Sequence, residues 1–170
     1  MGDSIVQWAR RALGVSPTVL WRGQSGAQFC DLQPLLDELA QTHSPPELLI
    51  IHMGTNDLVH TDFFSLRQRV SLCIDGCRTL FPGAAVVWSD ILPRMFYYGA
   101  RSQRSLEKQR RALNKWSRTY CHRVGAHVLH HPQFCWTDAS LYRYDGVRLS
   151  AMGNDLFRAN LRQCVLSFGG

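Results

Sequence analysis

The sequence predicts an α/β fold: a three-layer α/β/α sandwich built on a mostly parallel sheet. Three observations carry that expectation. Two largely apolar runs, 48–53 and 84–91, have the composition of strands buried on both faces. Segments of helical periodicity alternate with strand-like segments along the chain, as in βαβ units. Clusters of small and polar residues follow the strand candidates, where sheets of this kind place their sites.

The elements follow in order. Residues 4–13 set Ile5, Trp8, Ala9, Ala12 and Leu13 at helical spacing, with Gly14 as a stop. Residues 18–21 form a short strand candidate. A helix is expected over 32–41, closed by Pro45-Pro46, and a buried strand over 48–53. A helix over 63–81 ends at Pro82-Gly83, and the second buried strand runs over 84–91. A long, basic, amphipathic helix spans 103–124, and a short strand spans 126–130. A final helix covers 150–166, with Ser150 as its N-cap. The longest irregular stretch runs from Pro132 to Asp145, and a long loop beside a site is more often functional than decorative.

Composition bounds the class. In 170 residues, 45% are hydrophobic and 19% charged, which excludes a disordered chain and suits one domain over 1–170. The net charge of +6 leaves room for an acidic partner without demanding one. The six cysteines include no CxxC pair and are expected to be reduced core thiols. No run approaches the ~20 apolar residues of a membrane span, and the N-terminus lacks the basic and apolar regions of a signal peptide. The expected location is therefore intracellular, in the cytoplasm, with no membrane partner.

Four short segments fall where such a sheet would build a site: Gly2-Asp3-Ser4 before a helix, Gly23-Gln24-Ser25-Gly26-Ala27 after the short strand, Gly54-Thr55-Asn56-Asp57 after the most apolar strand, and Asp145–Ser150 before the last helix. Small residues in each let backbone amides approach a ligand. In order and spacing these blocks resemble the SGNH, or GDSL, hydrolases, whose blocks are GDS, a glycine block, GxND, and DxxH followed by a helix. The segment DGVRLSAMGNDLF, 145–157, is especially close to the last of them. The chain also resembles the esterase-like domains of some vertebrate retroelement proteins.

The resemblance implies a flavodoxin-like fold and hydrolysis of small acyl esters through an acyl-serine, without metal or organic cofactor. It makes Ser4 the nucleophile at a helix N-terminus, where free amides favour negative charge. It makes the Ser4 and Gly26 amides and the Asn56 side chain the oxyanion hole, with Gly23 the competing glycine. Asp57 would cap the next helix or support its loop. Asp145 would orient a base three residues on. At that position the chain has Arg148 instead of histidine. Arginine holds its proton to above pH ~12 and cannot take one from serine. Loss of the base in such a triad costs on the order of 10⁴- to 10⁶-fold. Weak activity or none is therefore expected, with a binding pseudoenzyme as the alternative. Arg148 reads as a partner of Asp145, a solvated arginine or a clamp for a substrate anion. The family also carries a buried strand leading into GDS, whereas Met1 stands directly before Gly2, so that first strand is expected to be missing.

Other features have two readings each. The segment 101–123 carries eight Lys and Arg against Glu107, with Trp116 and Tyr120 interleaved. It reads as a solvated helix face, or as a nucleic-acid surface presenting Arg104, Lys108, Arg111 and Lys115 to phosphates. His52, His127, His130 and His131 read as structural or surface residues. No spacing for a zinc site accompanies them, and His131 is the nearest to a substitute base. Met95-Phe96-Tyr97-Tyr98 either lines an acyl or glycan pocket or covers the core edge.

Overall fold

A computed structural model of the chain describes Met1 and residues 19–168. Its centre is a three-stranded parallel sheet in the order β1 (Leu48–Ile51), β2 (Ala85–Ser89), β3 (His127–Leu129). Leu48 lies opposite Ala85 and Ile51 opposite Trp88; Val87 lies opposite His127 and Ser89 opposite Leu129. α1 (Leu32–Thr42) leads into β1, α2 (Phe63–Leu80) and α3 (Gln103–Val124) connect the strands, and α4 (Ala151–Phe168) follows the sheet. Two short 3-10 turns, Phe29–Asp31 and Ala139–Leu141, interrupt the loops.

The pleat sends alternate side chains to opposite faces. Leu49, Ile51, Val86 and Trp88 meet the buried residues of α1, α2 and α3. On the other face Ile50 and Leu129 meet Phe157 and Leu161 of α4, together with Leu92, Leu141, Tyr142 and Leu149. Helices thus cover both faces, as the apolar runs predict. Local chemistry sets the helix ends. The Asp62 carboxylate accepts from Ser65 N at 3.0 Å and caps α2, and Ser102 Oγ accepts from Ser105 N at 3.2 Å to cap α3. Gly125, at φ 75°, supplies the left-handed turn that stops α3. Ser150 caps α4 as expected, accepting from Gly153 N at 3.1 Å.

Three expectations change. The strand over 18–21 does not form over 19–21, where Leu20 is exposed; Thr18 lies outside the described residues. The remaining strands are shorter than their apolar runs, since residues 52–53 and 90–91 already belong to the site loops. The basic helix is not uniformly solvated. Arg110 is buried against Glu107 and donates to Ile91 O at 2.5 Å, and Arg118 pairs with Asp90.

Met1 contributes at the sheet edge. Its ammonium donates to Ile50 O at 2.6 Å and its carbonyl accepts from His52 N at 2.8 Å. Ala85 N takes Glu47 O, so odd-numbered β1 residues face β2, and Met1 lies along the opposite side. The expected helix over 4–13 falls outside the described residues. Among those described, no helix is long and apolar enough to cross a membrane.

Candidate active site

Three of the four sequence blocks converge beyond the C-terminal ends of β1 and β2. Ser4 lies outside the described residues, so the block at residues 2–4 has no geometry to report. The chain leaving β1 turns at Gly54, at φ 108°, where a Cβ would come within 2.9 Å of Phe29 Cζ and 3.0 Å of Ile91 Cδ1. Only glycine fits there, and its turn presents Thr55, Asn56 and Asp57.

Asn56 is held from both ends of its carboxamide. Its Nδ2 donates to Ala27 O at 2.9 Å, and its Oδ1 accepts from Arg94 Nη2 at 3.2 Å. That leaves one Nδ2 hydrogen uncommitted among the described residues. The bond to Ala27 O ties Asn56 to the glycine block: Gly26, at φ 76°, is the residue before Ala27, and nothing crowds its α-carbon. Asn56 and Gly26, the two oxyanion-hole residues the resemblance implies, therefore belong to one cluster. Gly23 lies three residues away in the same loop.

Asp57 does not cap α2, a role that Asp62 fills. It supports the loop instead. Its carboxylate accepts from Phe29 N at 3.3 Å and from Arg69 Nη1 at 2.9 Å. Burial pushes the Asp57 carboxyl above its ordinary range, against the opposing pull of Phe29 N and Arg69.

The chain leaving β2 is fixed by the inner face of α3. Asn114 accepts from Ile91 N and donates to Ile91 O, both at 3.0 Å, and Arg110 adds its donor to the same carbonyl. Leu92-Pro93-Arg94 then reaches the site. Tyr142 Oη donates to Pro93 O at 3.0 Å, and Phe96 N donates to Gly146 O at 3.0 Å. The aromatic run divides its roles. Tyr97 is buried in the core and pushed up to about 12 by that burial, while Phe96 and Tyr98 are exposed and stack edge to face at 5.1 Å.

The last block is a tight hairpin over 143–148. Arg143 N donates to Arg148 O at 2.8 Å, Gly146 N donates to Arg143 O at 2.9 Å, and Tyr142 pairs with Leu149. Gly146, at φ 64°, packs so closely on Met95 that a Cβ would lie 3.1 Å from it. Asp145 Oδ1 accepts from Val147 N and Arg148 N, each at 2.9 Å, and Oδ2 pairs with Arg148 Nη1 at 3.3 Å. Burial raises the Asp145 carboxyl, but the two amides and the Arg148 and Arg143 charges outweigh it and hold the group below its usual range. The expected ion pair is present, and the carboxylate is further engaged by its own hairpin.

The histidines fall into two groups. His52 and His131 flank Ser89 beneath the site, with His52 Nδ1 2.9 Å and His131 Nε2 2.7 Å from Ser89 Oγ. Asn160 Nδ2 lies 3.0 Å from His131 Nδ1, so both ring nitrogens of His131 are taken. Burial pushes both histidines down to about 3 and keeps them neutral. His127 packs on Phe168, and His130 lies on Asp90. Among the described residues no cluster of His, Cys, Asp or Glu is arranged to hold a metal ion.

Sequence reasoning misses Arg94. Its only signal is position: an arginine directly after Pro93, just beyond a buried strand.

The chain matches the GDSL-like Lipase/Acylhydrolase family over residues 1–156, and it belongs to that family. Solved structures share the fold at low identity. A GDSL-like lipase from Bacteroides thetaiotaomicron is 18% identical, covering 98% of this chain and 86% of its own, with a TM-score of 0.77. A carbohydrate esterase family 3 protein from Talaromyces cellulolyticus is 16% identical over 98% and 94%, with a TM-score of 0.71. The esterase domain of the ORF1 protein of the zebrafish ZfL2-1 retrotransposon is 24% identical over 96% and 95%, with a TM-score of 0.52. No curated protein matches the chain.

Proposed function

We propose that the chain acts as one domain that binds carboxylic esters, with Ser4 as nucleophile and the Ser4 and Gly26 amides and Asn56 side chain as oxyanion hole. Hydrolysis is slow or absent because Arg148 stands where the base is needed. The observation that carries this reading is Asp145, which accepts from two backbone amides and pairs with Arg148. The orienting carboxylate is retained, yet its partner is a permanent cation.

The chemistry explains the consequence. Ser4 Oγ bonds to the acyl carbon and must lose its proton. The alkoxide leaves and must gain one. Water then attacks the acyl-serine, losing a proton as Ser4 is regenerated and the acid departs. Each step needs a group that alternately takes and gives a proton near neutral pH, and arginine does neither. The oxyanion donors still stabilise the tetrahedral intermediate, each by about 3 kcal/mol in sites of this type.

A chromogenic p-nitrophenyl acetate assay tests this. Wild type is expected near background, Arg148→His is expected to raise kcat/KM at least tenfold, and adding Ser4→Ala is expected to remove the gain. Ordinary wild-type turnover, on the order of 1–10³ s⁻¹, that Ser4→Ala abolishes would overturn the weak-activity reading. A folded Arg148→His protein with no gain would overturn the assignment of position 148.

A second reading, association with nucleic acid, is favoured by one observation. Arg104, Lys108, Arg111 and Lys115 are all exposed on α3, three to four residues apart, and none pairs with a carboxylate among the described residues. Fluorescence anisotropy with single-stranded RNA at several salt concentrations should show binding that weakens with salt and drops at least tenfold when Lys108, Arg111 and Lys115 are changed to Gln. Unchanged binding in that variant would remove this reading.

A further inference from the structure

Arg94 is the arginine that reaches Asn56 in the candidate site. Of its five N–H donors, one donates to Asn56 Oδ1, and the buried Nε has no partner among the described residues. Asp57 pairs with Arg69, Asp90 with Arg118 and His130, Glu107 with Arg110, and Asp145 with Arg148. No carboxylate among the described residues is paired with Arg94.

Its position is fixed rather than floating. The backbone before it is clamped at Ile91 by Asn114 and Arg110 and at Pro93 by Tyr142. The backbone after it is held at Phe96 by Gly146 and at Tyr97 by Gln103, which accepts from Tyr97 N at 2.6 Å and donates to Tyr97 O at 3.0 Å. Recognition groups on braced backbone lose little entropy when they bind. The guanidinium also lies on the Oδ1 side of Asn56, whereas Ala27 lies on the Nδ2 side. It therefore lies beside Asn56 on the side away from Ala27.

We propose that Arg94 determines specificity at this site by selecting esters that carry a carboxylate or phosphate a few bonds from the acyl carbon. The inference rests on the ester-binding reading above. A planar guanidinium with unused donors matches both anions through paired N–H···O bonds. One nitrogen bound to Asn56 Oδ1 couples the anion to the orientation of the oxyanion donor.

Calorimetric titration tests this without needing turnover. Wild type, Arg94→Gln, Arg94→Lys and Arg148→Gln are each titrated with monomethyl succinate, 2-acetoxyethyl phosphate, neutral 2-methoxyethyl acetate and succinate. Wild type is expected to bind the anionic esters at least tenfold more tightly than the neutral one, and the tighter of the two names the anion. Arg94→Gln is expected to erase the preference, so that charged and neutral esters bind within twofold of one another. Arg94→Lys keeps the charge without the planar fork and is expected to lose at least threefold, which keeps the test decisive if the Gln variant fails to fold. Equal wild-type affinity for charged and neutral esters, or a preference that survives Arg94→Gln, overturns the proposal. A preference that disappears only in Arg148→Gln assigns it to Arg148 and overturns it as well. Arg94-dependent binding of succinate with no ester binding removes the ester-binding reading and supports the anion site.

Discussion

Asp57 and Asp145 bracket the candidate site and are held in opposite ways. Asp57 sits on the Asn56 side, 1% exposed, with its loop built on Gly54, Phe29 and Arg69. Asp145 is half-buried on a hairpin and takes its donors from Val147 and Arg148 of that hairpin. Burial dominates the first carboxyl and raises it, while hydrogen bonds and neighbouring cations dominate the second and lower it. The Asn56 side is thus a scaffold assembled from distant segments. The Asp145 side is a local device that braces itself through the amides of Val147 and Arg148 and the Arg148 side chain.

The largest effect expected from breaking this contrast is at Asp57. Asp57→Ala leaves Phe29 N without an acceptor in a buried setting and releases Arg69. The expected loss is about 2–3 kcal/mol of stability, read from urea unfolding. Asp57→Asn keeps an acceptor for Phe29 N and buries no charge, so it is expected to cost clearly less. Equal losses in the two variants would mean that the charge, rather than the acceptor, holds the loop.

The contrast also separates what the sequence discloses from what it hides. α2, α3 and α4 are legible because their apolar residues recur at helical spacing, and Ser150 marks the start of α4. β1 and β2 are legible as apolar runs, although their ends are not, because the same hydrophobicity continues into the site loops. Asp145 and Arg148 are three residues apart, so their pairing can be expected from spacing alone. Asn56 with Ala27, Asn56 with Arg94, and Asp57 with Phe29 join residues 28 to 38 positions apart, and no local pattern announces them. The same limit applies to α3. Arg110 and Arg118 look like Arg111 and Lys115 in composition, and only the fold shows that Glu107, Ile91 O and Asp90 claim them.

The smallest expected effect is at Asp145, and its sign with pH is the sharper measurement. A carboxyl lowered in the folded state stabilises the protein fully above its unfolded pKa, about 3.9. That contribution is lost as pH falls through the folded value. Asp145→Ala removes the acceptor of two hairpin amides and is expected to cost about 1 kcal/mol at pH 7, as loss of an exposed cap does. The cost should shrink below pH ~4 as the wild-type carboxyl gains its proton. Asp57 runs the other way. Its raised carboxyl favours the folded state most when protonated, below the unfolded value, and that advantage is lost as pH rises through the folded value. The cost of Asp57→Asn should therefore be larger in acid and smaller at neutral pH. Urea unfolding of both variants against wild type from pH 3 to 7 should give curves of opposite slope. Parallel slopes would mean that burial does not distinguish the two carboxylates, and that the buried scaffold and the self-braced hairpin are electrostatically alike.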